Sequence, residues 1–191
     1  MKWNITLAAC CLVLVAINIA LIRQNRQLKA QISLPALNLQ VAAGTRVPDL
    51  KGFDLSGKPL EVAYGRDPRK VLVLVYSPTC HFCDENWPRW WDLISALDHD
   101  MVRPVAVDVT STSTAVFLAE HRLRDFPIMN QVDPTARINY RFQLTPQTIL
   151  VDQTGTVEKV WSGVLDNSAL QELKQRTGAK KPDSAASGTG F

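Results

Sequence analysis

Val71-Leu72-Val73-Leu74-Val75-Tyr76-Ser77-Pro78-Thr79-Cys80-His81-Phe82-Cys83 is the stretch on which the fold turns. Residues 71–76 form an unbroken, β-branched-rich apolar run, and a strand buried on both faces needs such a run. Ser77-Pro78-Thr79 ends it. From Cys80 to about Leu97 apolar residues recur at helical spacing, with Pro88 as the expected kink. Cys80 therefore falls where a central strand passes into a helix.

That position bears on sulfur chemistry. Unpaired backbone N–H groups and the helix dipole favour an anion at a helix start, so a thiol there ionises more readily. The thiolate is the nucleophile of disulfide exchange. Three residues on, Cys83 shares a helix face with Cys80 and is placed to displace a partner that Cys80 has captured. A zinc site needs two more ligands, and the other cysteines, Cys10 and Cys11, lie in an apolar run far away. Asp84 follows the motif where haem attachment needs His. Cys80 and Cys83 are the candidate catalytic residues, with neither metal nor cofactor expected. Between them His81 and Phe82 are the candidates for tuning; His81 reads either as an imidazolium that favours the Cys80 thiolate or as a solvent-facing spacer.

Downstream, Val102–Val109 reads as a second strand and 111 to about 123 as a helix capped by Ser111 or Thr112. Strand and helix alternate, which implies a parallel pair. Pro127–Val132 adds a further strand, Asp133–Phe142 a helical turn or two, and 148–152 another strand. A turn at Gln153-Thr154-Gly155-Thr156 leads into a strand at 157–161, and 166–176 closes the domain as an amphipathic helix. Thr145-Pro146 precedes a buried strand, where a cis bond would bend the chain and expose the Thr145 backbone to an extended substrate; an ordinary trans proline is the other reading. Trp87, Trp90 and Trp91 read as core, with Trp87 close to the cysteines. His99 and His121 read as surface residues.

Upstream, Val47–Val62 alternates around Ser56-Gly57-Lys58 as a hairpin. Ile5–Ile22 is apolar and uncharged, the length of a single membrane span, and no small-x-small cleavage site follows it closely. Leu7-Ala8-Ala9-Cys10 has the look of a lipoprotein box, but the apolar run continues past it. The expected organisation is an anchor at 1–22, a stalk at 23–45, a domain at 46–176 and a tail at 177–191. Arg23, Arg26 and Lys29 flank the span, and by charge alone they would keep the domain cytoplasmic. A net charge of +3 with scattered basic residues excludes a nucleic-acid binder.

Taken in order, Val47-Pro48-Asp49-Leu50, the strand before Cys80-His81-Phe82-Cys83, Pro88, Thr145-Pro146 and Asp152-Gln153-Thr154-Gly155-Thr156 resemble the TlpA/ResA-like membrane-tethered thioredoxin family. The resemblance spans roughly 47–176. It implies a thioredoxin-like α/β fold, a central mixed sheet flanked by helices, preceded by one N-terminal transmembrane helix. It also implies a cis bond at Pro146, Thr145 and Pro146 as substrate-binding residues, and a domain facing the periplasm or cell exterior. Members commonly reduce disulfides of partner proteins, including those in cytochrome c maturation, with electrons from a membrane donor. Two positions depart from the family. Thr79 stands where Trp usually precedes the first Cys, and Asn86 where an acid often follows the second. The Ser-Pro-Thr-Cys lead-in is closer to the MauD branch, which supports disulfide formation, so redox direction stays open. Two alternatives remain: a copper chaperone with His121 as third ligand, and a thiol peroxidase, whose Pro-x-x-x-Thr-x-x-Cys pattern is missing around Cys80.

Overall fold

The computed structural model describes residues 14–24, 39–123 and 127–179. Two compact units divide the chain, Met1–Asn38 and Leu39–Phe191. In the first, residues 14–24 are helical (α1) and exposed, and Asn18 Nδ2 donates to the Leu14 carbonyl. Among the described residues no helix is long and apolar enough to cross a membrane. Residues 1–13 of the expected anchor, and 25–38 of the stalk, lie outside the described residues.

The second unit is built on a five-stranded sheet ordered β5-β4-β3-β7-β8. Its centre is β3 (Lys70–Tyr76), parallel to β4 (Val102–Asp108) and antiparallel to β7 (Gln147–Val151), so the sheet is mixed. β8 (Val157–Ser162) pairs antiparallel with β7, and β5 (Ile128–Met129) parallel with β4. Every residue from Val71 to Tyr76 is fully buried, which is why the run shows no polar alternation. Its side chains still divide by pleat: Leu72, Leu74 and Tyr76 face one core, Val71, Val73 and Val75 the other.

The first core is closed by α2 (His81–Ala96) and α5 (Asn167–Arg176), through Trp87, Trp90, Leu93, Leu170 and Leu173. Along α2 the buried positions are 83, 86, 87, 90, 93 and 94, a single helical stripe, with Pro88 inside the helix. Trp90 Nε1 donates to Thr148 Oγ1 at 2.8 Å, joining α2 to the sheet. The second core is covered by a three-stranded sheet, β2-β1-β6, and by α4 (Pro134–Asn139). The predicted hairpin forms as β1 (Leu50–Phe53) and β2 (Pro59–Val62), with Asp54 accepting from the Ser56 and Lys58 amides across the turn.

Two expectations of secondary structure are corrected. The helix expected over 111–123 is confined to α3 (Ala115–Glu120), capped by Thr114 rather than Ser111 or Thr112. The buried Asp108 carboxylate accepts the Thr110, Thr112 and Ser113 amides, which pins that stretch as a loop, and Ser111 has a φ of 57°. Residues 127–132 are not one strand. β5 belongs to the main sheet, while β6 (Gln131–Val132) crosses to pair with β1 beside Gly52, where a Cβ would stand 2.1 Å from the Gln131 carbonyl. Val41 is buried in the second core, and Gly44 and Thr45 exchange backbone hydrogen bonds with Val157. Thr177 is buried and bonds the Leu173 carbonyl, while 180–191 lie outside the described residues.

Candidate active site

β3 ends at Tyr76, and the Ser77 carbonyl accepts the Cys80 amide in a turn that sets Cys80 at the N-cap of α2. Ser77 Oγ binds Thr79 and meets Thr110 Oγ1, itself held by Asp108, so the turn is braced from the end of β4. Cys80 is partly exposed and Cys83 buried, and both are free thiols. Each sulfur shifts the ionisation of the other. The thiol of Cys80 also meets the Thr145 carbonyl at 3.5 Å. The Thr145-Pro146 peptide is cis, and Gln147, the next residue, opens β7 opposite Val75 of β3. The sequence therefore placed Cys80, Cys83, Thr145 and Pro146 as candidates, and the fold brings them together.

Electrostatics separate the two sulfurs. Burial pushes Cys80 up, but the Cys83 side chain, the Thr145 side chain and the backbone N–H groups of Cys83 and Phe82 outweigh it, and its pKa lies below the ordinary thiol value. Cys83 is pushed up to about 12, chiefly by burial and then by Cys80. Of the two, the accessible sulfur is the one that ionises more readily. Phe82 acts on Cys80 through its amide, while its ring is exposed. His81 is 81% exposed and pairs with Glu85 at 3.1 Å, and the groups that hold Cys80 down are its backbone neighbours, Cys83 and Thr145.

Neither acidic residue after the motif reaches inward: Glu85 pairs with His81, and Asp84 faces His121 at 3.8 Å. The expectation of a surface His121 is corrected. Its ring stacks on Phe117 at 4.1 Å beside Trp87, and Nδ1 meets the Phe117 carbonyl. Among the described residues no three His, Cys, Asp or Glu side chains gather to hold a metal, so the copper reading gains no ligand set from His121.

Asn86 was noted in sequence only as a departure from a family pattern. It is fully buried one helical turn after Cys83, and its Oδ1 accepts the Leu165 amide at 2.9 Å. The signal was its place on the otherwise apolar stripe of α2. Leu165 and Gly163, which the site also uses, carried no comparable signal.

The arrangement is that of a thioredoxin-like α/β domain with a helix-terminal dithiol facing a cis-proline loop. No family model matches the chain, and no curated protein matches it. Among solved structures it is similar to the thioredoxin domain of a thiol-disulfide oxidoreductase from Bacteroides vulgatus, with a TM-score of 0.56 and 16% identity over 72% of this chain and 99% of that one. StoA from Bacillus subtilis gives a TM-score of 0.51 at 20% identity, covering 68% of this chain and 99% of that one. A thio-disulfide isomerase from Thermus thermophilus gives 0.51 at 18%, covering 74% and 100%. At these identities the likeness establishes the thioredoxin-like fold.

Proposed function

We propose that the chain is a thiol-disulfide oxidoreductase acting on protein disulfides, anchored in the bacterial cell membrane by its N-terminal segment with the domain on the extracytoplasmic side. The observation that carries the chemistry is the asymmetric pair: an accessible Cys80 favoured as thiolate beside a buried Cys83 held as thiol. The Cys80 thiolate attacks one sulfur of a substrate disulfide, forming a mixed disulfide and releasing the other sulfur as a thiolate that takes a proton from water. Cys83 gives up its proton and attacks Cys80 Sγ. The substrate leaves with two thiols and the enzyme holds the Cys80–Cys83 disulfide. A membrane dithiol donor then reduces that disulfide by the same exchange in reverse order. The Thr145 carbonyl beside Cys80 supports an extended substrate segment at the site.

The reductive direction rests on the family resemblance and is tested by the equilibrium of the pair with glutathione. A potential near or below about −230 mV supports a reductase, and one near about −120 mV makes the protein a dithiol oxidant instead. Sidedness is tested by a membrane-impermeant maleimide on intact cells: labelling before lysis supports the extracytoplasmic placement, and labelling only after lysis overturns it.

A further inference from the structure

Asn86 sits on the one face of α2 where a polar side chain is costly. It is fully buried, and among the described residues its Nδ2 meets no acceptor. An unpaired buried donor costs about 1–3 kcal/mol, so an apolar residue would serve the core better. What the carboxamide does contribute is its other end. Oδ1 takes the Leu165 amide at 2.9 Å, fixing the 163–165 loop between β8 and α5 against the active-site helix. Two residues back in that loop, the Gly163 amide donates to the Pro146 carbonyl at 2.9 Å. Pro146 in turn carries Thr145, whose carbonyl stands 3.5 Å from Cys80 Sγ.

We propose that Asn86 is a positioning residue for disulfide exchange, holding the Thr145-Pro146 backbone against Cys80 through Leu165 and Gly163. The connection closes a ring, from the helix that bears both cysteines out to the loop, across to the proline and back to the nucleophile. This role rests on the exchange activity proposed above. It predicts that Asn86 matters more for a substrate that lies along the Thr145 backbone than for one that only needs a thiolate. Arg89 Nη1 also reaches Asn167 Oδ1 at 2.9 Å, tying α2 to α5 at the surface, so loss of Asn86 loosens the loop without freeing the helix pair.

The test compares Asn86→Ala and Asn86→Asp with wild type, in the full chain, on a cystine-bridged peptide and on a small aryl disulfide. Asn86→Ala is expected to raise KM for the peptide about tenfold, the worth of one positioning hydrogen bond, and to change the aryl disulfide rate by a smaller factor. Asp retains an acceptor for the Leu165 amide and is expected to keep the peptide KM within about twofold of wild type. Equal peptide KM values in wild type and Asn86→Ala overturn the role, as does an equal loss on both substrates. Should wild type exchange neither disulfide, the enzymatic reading falls and this role with it. Amide hydrogen exchange on the wild-type protein reads the same contact even if Asn86→Ala does not fold: slow exchange at Leu165 and Gly163 supports the tether, and exchange as fast as in an open loop overturns it.

Discussion

The Cys80 sulfur lies 3.5 Å from the carbonyl oxygen of Thr145, although sixty-five residues separate the two in sequence. One loop thus supplies both the backbone along which a substrate would lie and a group that favours ionisation of the sulfur.

The hydroxyl of Thr145 is one of the groups that lower the Cys80 pKa, so Thr145→Ala is expected to move that titration upward. In wild type the rate of alkylation by iodoacetamide should rise with pH and level off below the ordinary thiol range. Cys83 is pushed up chiefly by burial, which remains when Cys80 is replaced, so in a Cys80→Ser variant it should alkylate more slowly at pH 9 than Cys80 does in a Cys83→Ser variant. Thiolate absorbance against pH, read in parallel, checks both.

Trp90 and Thr148 form a buried hydrogen bond between α2 and the centre of the sheet. Replacing Trp90 by Phe removes the donor and leaves the Thr148 hydroxyl to find another partner, with a loss of about 1–3 kcal/mol from that group and more from the vacated volume. Urea denaturation measures it. Thr148→Val should lose a similar amount by orphaning the indole N–H.

Alkaline pH should unfold the domain earlier than its carboxylates and lysines alone would suggest. Tyr64 is buried against Tyr140, with the hydroxyls 2.6 Å apart, and burial pushes its pKa up to about 12, above the unfolded value of about 10. A folded pKa raised in this way leaves stability intact below pH 10 and loses it as pH climbs towards 12, because the unfolded chain ionises first. Burial shifts Tyr140 and Tyr76 in the same direction. Urea midpoints at pH 8 and pH 11 should differ accordingly, and Tyr140→Phe should shrink the difference.

The sequence was most legible where one physical demand acted alone. Residues 71–76 had to be apolar on both faces and read as a central strand; Cys80 at the next helix start followed from that. Thr145-Pro146 was visible as a possible bend, whereas its contact with Cys80 depends on β7 pairing with β3, which no local pattern encodes. Residues 127–132 misled because one apolar stretch serves two sheets, divided at Asn130. The loop at 109–113 misled because a single buried carboxylate, Asp108, competes with the helix for its amides. Val41 sits beyond a polar stretch, and nothing near it announces that it completes the second core.

The most direct test of the division of labour between the cysteines is to treat Cys83→Ser and Cys80→Ser variants with a protein disulfide and locate the adduct by mass spectrometry. A stable mixed disulfide is expected on Cys80 in the Cys83→Ser variant, none on Cys83 in the Cys80→Ser variant, and no turnover by either. An adduct carried by Cys83, or turnover that survives the loss of Cys80, would overturn the assignment of Cys80 as nucleophile.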